Sequence, residues 1–442
     1  LRALVRGAVK VFYGRVEVTG LSHLEYKGAT ILASNHPNSI VDPLLLGLFE
    51  DRQICFCARD GLFRIPGFGA VLRHVGAVPL KRRSDYAGQT TDNAGAFTAC
   101  TEVLARKGVI AIFPEGKTHG NLRIEPIKTG AARMALGAET AHPGLGVRVV
   151  PVGITYLVRH AFRSDVHVAF GPPIEVKSQG DVNELTKSIG DSLRELAVHI
   201  EHVDDERLLA QVTSFIVDVR SEEGLDGRGQ SPAERTALVR RVVEAYHWLG
   251  ATDPDKMAEL RERLEDYMDE REALGLGGER PALQHRGERR FGLGAKQRAL
   301  FLVLGAPLAL FGFATCLLPY VTLRMIQAPL KLSTDRIALF KILGGAVLFG
   351  AAFSVQVAWV ASVAGPLAAA GFGASLMPAA LFARRYFIEA RLHRLQLRSL
   401  GALRDRDRLT ALRAERKAIS LELAELRRRY LEHLGAPIAS DG

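Results

Sequence analysis

The sequence predicts an α/β domain, a sheet covered on both faces by helices. A helical accessory region, transmembrane helices and a long C-terminal helix follow it. Three observations carry this. Residues 15–176 alternate short apolar, strand-like runs with helical ones, the pattern of a sheet whose connections are helices. Residues 299–323 and 342–383 contain no charged side chain, and about 20 apolar residues cross a bilayer. Beyond residue 384 the chain is densely charged, yet it keeps apolar residues at steps of three and four.

Residues 1–14 set Leu1, Leu4, Val5, Val9 and Phe12 against Arg2, Arg6 and Lys10. This is a short amphipathic helix, either lying on a membrane surface or packed on the next domain. Residues 15–180 form the α/β domain. Strands are expected near 15–19, 29–34, 53–58, 74–81, 109–113, 147–155 and 165–170, and helices near 42–50, 90–107 and 129–139. Residues 181–298 are charged and helical in pattern, as in Glu234–Leu249 and Asp255–Leu274, and end in a Gly- and Arg-rich linker, Gly275–Gly294. Residues 299–383 form the membrane region, of two or three helices. Its second stretch is long enough for two spans, with a break at Gly365-Pro366. Residues 384–442 form a basic tail with a helix over about 384–434, whose seam is Leu412, Arg416, Ile419, Leu423, Leu426 and Tyr430. That seam serves either self-association into a homo-oligomer or packing back onto the α/β domain.

The 442 residues are 48% hydrophobic with a net charge of +10. A basic chain suggests nucleic acid, but zinc-finger spacing, an aromatic RNA-binding signature and a recognition helix are all missing from the sequence. The cations instead crowd the apolar stretches: Arg286, Arg289, Arg290, Lys296 and Arg298 before the first, Arg384, Arg385, Arg391 and Arg394 after the last. Membrane lipids with anionic headgroups are the simpler partner. Basic flanks favour the cytoplasmic side for both the catalytic domain and the tail of a multi-pass membrane protein. Three full crossings would separate the two, and a re-entrant second stretch would reconcile them. Cys55, Cys57, Cys100 and Cys316 have neither disulfide-framework nor zinc-site spacing, so no metal or redox cofactor is expected.

The chemistry concentrates in Asn35-His36-Pro37-Asn38-Ser39-Ile40-Val41-Asp42-Pro43, just after the apolar run Ala29–Ala33. A histidine and a carboxylate in one loop at a strand's end suit a base and its orienting partner. The bland alternative is a loop histidine beside an unrelated helix-capping aspartate. Gly76-Ala77-Val78-Pro79-Leu80-Lys81-Arg82-Arg83 ends a strand in three cations, suited to phosphate. Phe113-Pro114-Glu115-Gly116 sets a carboxylate on a tight turn after another strand. Val150-Pro151-Val152-Gly153 reads by itself as a core strand. Together the first and third elements suggest acyl transfer, with His36 removing a proton from an alcohol.

These four blocks, in this order, resemble the glycerolipid acyltransferase family over roughly residues 15–176. Pro126-Ile127-Lys128-Thr129-Gly130-Ala131-Ala132 is similar to the family's stretch after the third block. The resemblance implies a mostly parallel sheet flanked by helices and entered from the membrane. It implies His36 as general base and Asp42 as its partner, Arg82 on the acceptor phosphate, and Glu115 and Gly116 on the glycerol part. Val150–Gly153 would line the acyl pocket, and Arg59 and Lys128 match stretches of phosphate or thioester-carrier contact. His119 lies just beyond the third block. The donor would be acyl-CoA or an acyl-carrier-protein thioester, with no resident cofactor.

One departure from the common pattern is informative. Five residues, not four, separate His36 from Asp42. The longer spacing resembles a subgroup similar to fungal glycerol 3-phosphate and dihydroxyacetone phosphate acyltransferases, which also carry membrane segments after the catalytic domain. Glycerol 3-phosphate is therefore the expected acceptor. The alternatives are lysophosphatidate or another lysolipid, or a non-catalytic lipid-binding membrane protein.

Overall fold

The computed structural model describes residues 6–7, 9, 12–65, 67–86, 92–118, 122–157, 164–177, 179–201, 205–222, 230–274, 295–330, 334–402 and 406–435. The expectations for Leu1–Val5, for His119 and for the 275–294 linker with its arginines lie outside those residues. The α/β elements are β1 (Val16–Thr19), β2 (Thr30–Ser34), α1 (Val41–Phe49), β3 (Ile54–Arg59), α2 (Phe68–His74), β4 (Val78–Leu80), α3 (Ala94–Ala105), β5 (Val109–Ile112), α4 (Gly130–Ala141), β6 (Arg148–Tyr156), β7 (Val166–Phe170), β8 (Ile174–Glu175) and α5 (Val182–Leu196). Then come α6 (Glu206–Glu222), α7 (Pro232–Thr252), α8 (Pro254–Ala273), α9 (Ala295–Gln327), α10 (Thr334–Ala364), α11 (Pro366–Ala402) and α12 (Arg406–His433).

The strands form one sheet in the order β1-β7-β6-β2-β5-β3-β4, with β8 paired to β6. Neighbours from β6 through β4 all run parallel. β7 and β8 run antiparallel to β6. The central strands β2 and β5 are buried at every position, because helices cover both faces and leave no polar side to alternate. Ala29, Ile31 and Ala33 point into a core completed by Cys100 and Leu104 of α3, Met134 and Ala138 of α4, and Leu185, Ile189 and Leu193 of α5. Leu32 points the other way by the period-two rule and is equally buried, as are Val41, Leu45 and Leu46 of α1.

The chain divides into two compact units. One comprises Leu1–Glu206, Ser231–Arg240 and Ser333–Leu339; the other comprises Arg207–Gln230, Arg241–Leu332 and Phe340–Gly442. The sheet unit thus runs past residue 180, because α5 supplies core side chains. Val9, Phe12 and Tyr13 are buried, so the described part of the N-terminal segment packs on protein.

Two elements differ from expectation. The strand expected over 74–81 begins only at Val78. Before it, α2 ends at His74 and Gly76 turns the chain at φ +72°, with the Ala77 N–H donating to Leu72 O at 2.9 Å. Apolar residues around a helix end imitate strand alternation. The helix expected from 384 is instead the continuation of α11, which passes unbroken from Pro366 to Ala402, since the onset of charge does not terminate a helix.

In the second unit, Gln297–Gln327, Gly344–Ala364 and Pro366–Arg391 are long and apolar enough to cross a membrane. Leu304, Trp359 and Leu367 are among their exposed side chains. α9 and α11 approach closely at Gly312, where a Cβ would sit 2.2 Å from Ala379 O. Arg298 pairs with Glu389 at 2.8 Å, and Tyr386 donates to Leu302 O at 3.0 Å. The seam of α12 is buried inside this same unit. Leu412, Ile419 and Leu426 meet Leu260, Leu264 and Tyr267 of α8 and Phe215 of α6. Arg263 bonds Glu415 at 2.8 Å and also Glu422, and Arg408 bonds Glu270 at 2.8 Å. Ile419 is fully buried, so Ile419→Ala is expected to cost about 2–4 kcal/mol. The measurement is hydrogen exchange, with faster exchange at both α8 and α12 amides.

Candidate active site

The strands β2, β5, β3 and β4 are neighbours and parallel, so the loops that follow them leave from one edge of the sheet. That edge carries His36 after β2, Glu115 after β5, Arg59 at the end of β3 and Arg82 after β4. Ends of parallel strands are where α/β folds place ligands.

The His36 loop is pinned at several points. Asn35 extends the pairing of β2 with β6: its Nδ2 donates to Ile154 O at 3.0 Å and its Oδ1 accepts the Ile154 N–H at 2.7 Å. The His36 N–H donates to Glu115 Oε1 at 2.9 Å. The imidazole stacks on Phe113, with centroids 4.0 Å apart and planes 18° apart. Its Nδ1 meets Asp42 Oδ2 at 2.8 Å. With Nδ1–H donated to a carboxylate, the unprotonated Nε2 is left as an acceptor. That nitrogen makes no hydrogen bond to a described residue, and the side chain is 11% exposed.

The fifth spacer residue is absorbed by a tight turn. Ser39 adopts φ +48°, the Val41 N–H donates to Asn38 O and the Asp42 N–H to Ser39 O. Asp42 therefore enters in the first turn of α1, fully buried. A buried carboxylate needs donors, and three arrive: His36 Nδ1–H, the Asn38 N–H at 2.8 Å and the Tyr156 hydroxyl at 2.6 Å to Oδ1. Burial, followed by the charge of Asp42, pushes the Tyr156 phenol well above its ordinary pKa, so it stays protonated and donates. Burial and Asp42 likewise raise Tyr13, whose hydroxyl accepts from Asn38 Nδ2 at 3.1 Å.

Glu115 is also buried. Its second oxygen accepts the Glu125 N–H at 2.8 Å, so both of its oxygens hold backbone. Gly116 follows at φ +70°, where a Cβ would lie 2.4 Å from Lys128 Nζ. The otherwise exposed Lys128 lies across that turn and is tied to it by its own N–H, donated to Pro114 O at 2.9 Å.

Farther along the edge, Arg59 Nε donates to Asp85 Oδ2 at 2.7 Å. Asp60 accepts from Tyr86 at 2.5 Å and from Arg64 at 3.2 Å. Arg82 is half-buried, and its guanidinium makes no hydrogen bond or ion pair with a described residue. Burial lowers its pKa and Arg59 adds to that, while Asp85 opposes them. Among the described residues no group of three His, Cys, Asp or Glu side chains is placed to hold a metal ion.

Residues 15–155 match the Acyltransferase family. Over these residues the chain is similar to glycerolipid acyltransferases. This acyltransferase domain is 41% identical over 88 residues to glycerol-3-phosphate O-acyltransferase 1 of Saccharomyces cerevisiae, covering 20% of this chain and 12% of that enzyme. It is 27% identical over 170 residues to the chloroplast 1-acyl-sn-glycerol-3-phosphate acyltransferase of Brassica napus, covering 37% of this chain and 46% of that one. The chain thus spans about an eighth of the yeast enzyme and under half of the plant one. The crystal structure of the 1-acyl-sn-glycerophosphate acyltransferase from Thermotoga maritima is 20% identical, with a TM-score of 0.34 over 44% of this chain and 78% of that one.

Within the acyltransferase domain, sequence reasoning missed Tyr156, Asn38 and Tyr13 as supports of Asp42. The signal for Tyr156 was present: a tyrosine closing an otherwise apolar buried strand carries a hydroxyl that must find a partner. Glu115→Gln tests the clamp seen here. It turns one acceptor into an NH2 group facing an N–H, and leaving a buried donor unpaired costs about 1–3 kcal/mol. The expected outcome is a lower melting temperature and faster amide exchange at whichever of His36 and Glu125 then faces the NH2 group.

Proposed function

We propose that this protein is a membrane-bound O-acyltransferase that moves a fatty acyl group from acyl-CoA or an acyl-carrier-protein thioester to glycerol 3-phosphate. The observation that carries the reading is the His36–Asp42 pair, with Nδ1 engaged and Nε2 open. Nε2 takes the proton of the acceptor hydroxyl as its oxygen attacks the thioester carbonyl. Asp42 steadies the imidazolium that forms. As the tetrahedral intermediate collapses, the C–S bond breaks and the imidazolium returns its proton to the departing thiolate. The thioester is already activated, so no acyl-enzyme is required.

Arg82 supplies the anion-binding half of the reading. Its guanidinium is not committed to a described carboxylate, unlike that of Arg59. Three strand spacings of about 4.8 Å, roughly 14 Å between backbones, separate β4 from β2. An arginine side chain reaching toward His36 and a short phosphorylated alcohol suit that gap. Glu115 and Gly116 act on the acceptor indirectly in this reading, by shaping the turn beneath it. Arg59 and Lys128 flank the same edge and suit the phosphates of the thioester carrier. The three apolar helices support a multi-pass protein, and its basic flanks favour the cytoplasmic side for the catalytic domain. Lysophosphatidate is the second acceptor to weigh, on the similarity to the Brassica enzyme.

An acceptor screen on the purified full chain, with one acyl-CoA and one acyl-carrier-protein thioester, tests the reading. His36→Ala is expected to lower turnover by about a thousandfold while the melting temperature holds; unchanged turnover refutes the acyl-transfer reading. Arg82→Ala is expected to raise KM for glycerol 3-phosphate by about tenfold or more, the size of a lost charge-assisted hydrogen bond. An equal loss with an uncharged alcohol argues against a phosphate role.

A further inference from the structure

We propose that Tyr156 is a positioning residue of this site: its hydroxyl fixes the rotation of the Asp42 carboxylate, and through it the orientation of His36. The inference rests on the acyl-transfer reading above and deepens it.

The two oxygens of Asp42 are held by different parts of the fold. Oδ2 takes the His36 Nδ1 and Asn38 N–H bonds, both from its own loop. Among the described residues, Oδ1 takes only the Tyr156 hydroxyl, from the end of β6. An aspartate's last torsion is broad and nearly two-fold, so contacts to one oxygen leave the plane of the group free to turn. A second contact from a rigid strand removes that freedom. Asp42 is fully buried and Tyr156 is 5% exposed, so solvent does not stand in for the missing donor.

β6 also holds the other end of the loop. Ile154, two residues before Tyr156, exchanges both backbone hydrogen bonds with the Asn35 side chain. The strand itself is braced by pairing Ile154 with Val168 and Tyr156 with Val166 of β7. His36 therefore sits between two anchors on one strand, Asn35 at Ile154 and Asp42 at Tyr156. Among the described residues, the titratable groups facing the pair include Tyr13 from the N-terminal segment, Glu115 from the turn after β5 and Tyr156 from β6.

The test is Tyr156→Phe in the purified full chain, assayed with one acyl-CoA and glycerol 3-phosphate beside His36→Ala. Removing one donor from a buried carboxylate is expected to lower kcat about tenfold, with each KM within about twofold. The acid limb of the kcat/KM profile is expected to move to higher pH, because a carboxylate with one donor fewer holds the imidazole proton more firmly. A ring-fluorinated tyrosine placed at position 156 keeps the shape and strengthens the donor, so its acid limb is expected to move to lower pH. This second variant carries the test if Tyr156→Phe does not fold. An unchanged kcat and acid limb, with His36→Ala inactive, overturns the role of Tyr156 alone. Turnover by His36→Ala overturns the reading beneath it.

Discussion

A carboxylate with no exposure to solvent governs the architecture of the candidate site. Taking Asp42 out of water costs several kcal/mol unless donors replace the lost hydration. No described arginine or lysine pairs with it. The donors are an imidazole, a backbone N–H and a phenol, and they come from the loop after β2 and the far end of β6. The left-handed Ser39 and the start of α1 at Val41 bring Asp42 to those donors, and Tyr13 of the N-terminal segment accepts from the Asn38 side chain beside them.

Glu115 plays the matching part on the other side of His36. Both of its oxygens accept backbone N–H groups, one from His36 and one from Glu125. His36 is thus held through its backbone N–H, through Nδ1 and through its ring face on Phe113, while Nε2 bonds no described residue. The cations at the ends of β3 and β4 are arranged differently. Arg59 is spent on Asp85, whereas the half-buried Arg82 makes no hydrogen bond or ion pair with a described residue. Among the described residues, the edge of the sheet therefore runs from a base with no hydrogen bond at Nε2 to a cation with no ion pair.

The second unit obeys a different constraint. α9 and α11 approach through glycine and alanine at Gly312 and Ala379, the small-residue packing that lets apolar helices touch where water exclusion offers no drive. α8 and α12 instead combine a leucine seam with an ion-pair network around Arg263. That seam is consumed within the chain, which the repeat of leucines alone does not distinguish from one meant for a second copy.

Much of this was legible in the sequence. The order of strands β1 to β7 and of helices α1, α3 and α4, the break at Gly365, and the pairing of His36 with Asp42 all follow from local pattern and motif, whereas α2 and β8 do not. Hydrophobic periodicity and turn chemistry act over a few residues and are written there directly. Other features depended on tertiary placement. That Glu115 grips backbone, that Tyr156 meets Asp42 across 114 residues, that α5 completes the sheet's core and that α12 packs on α8 are each decided by which elements the sheet and helices bring together. A side chain's type limits the bonds it can make, but only the packed chain selects the partner that lies within hydrogen-bonding distance.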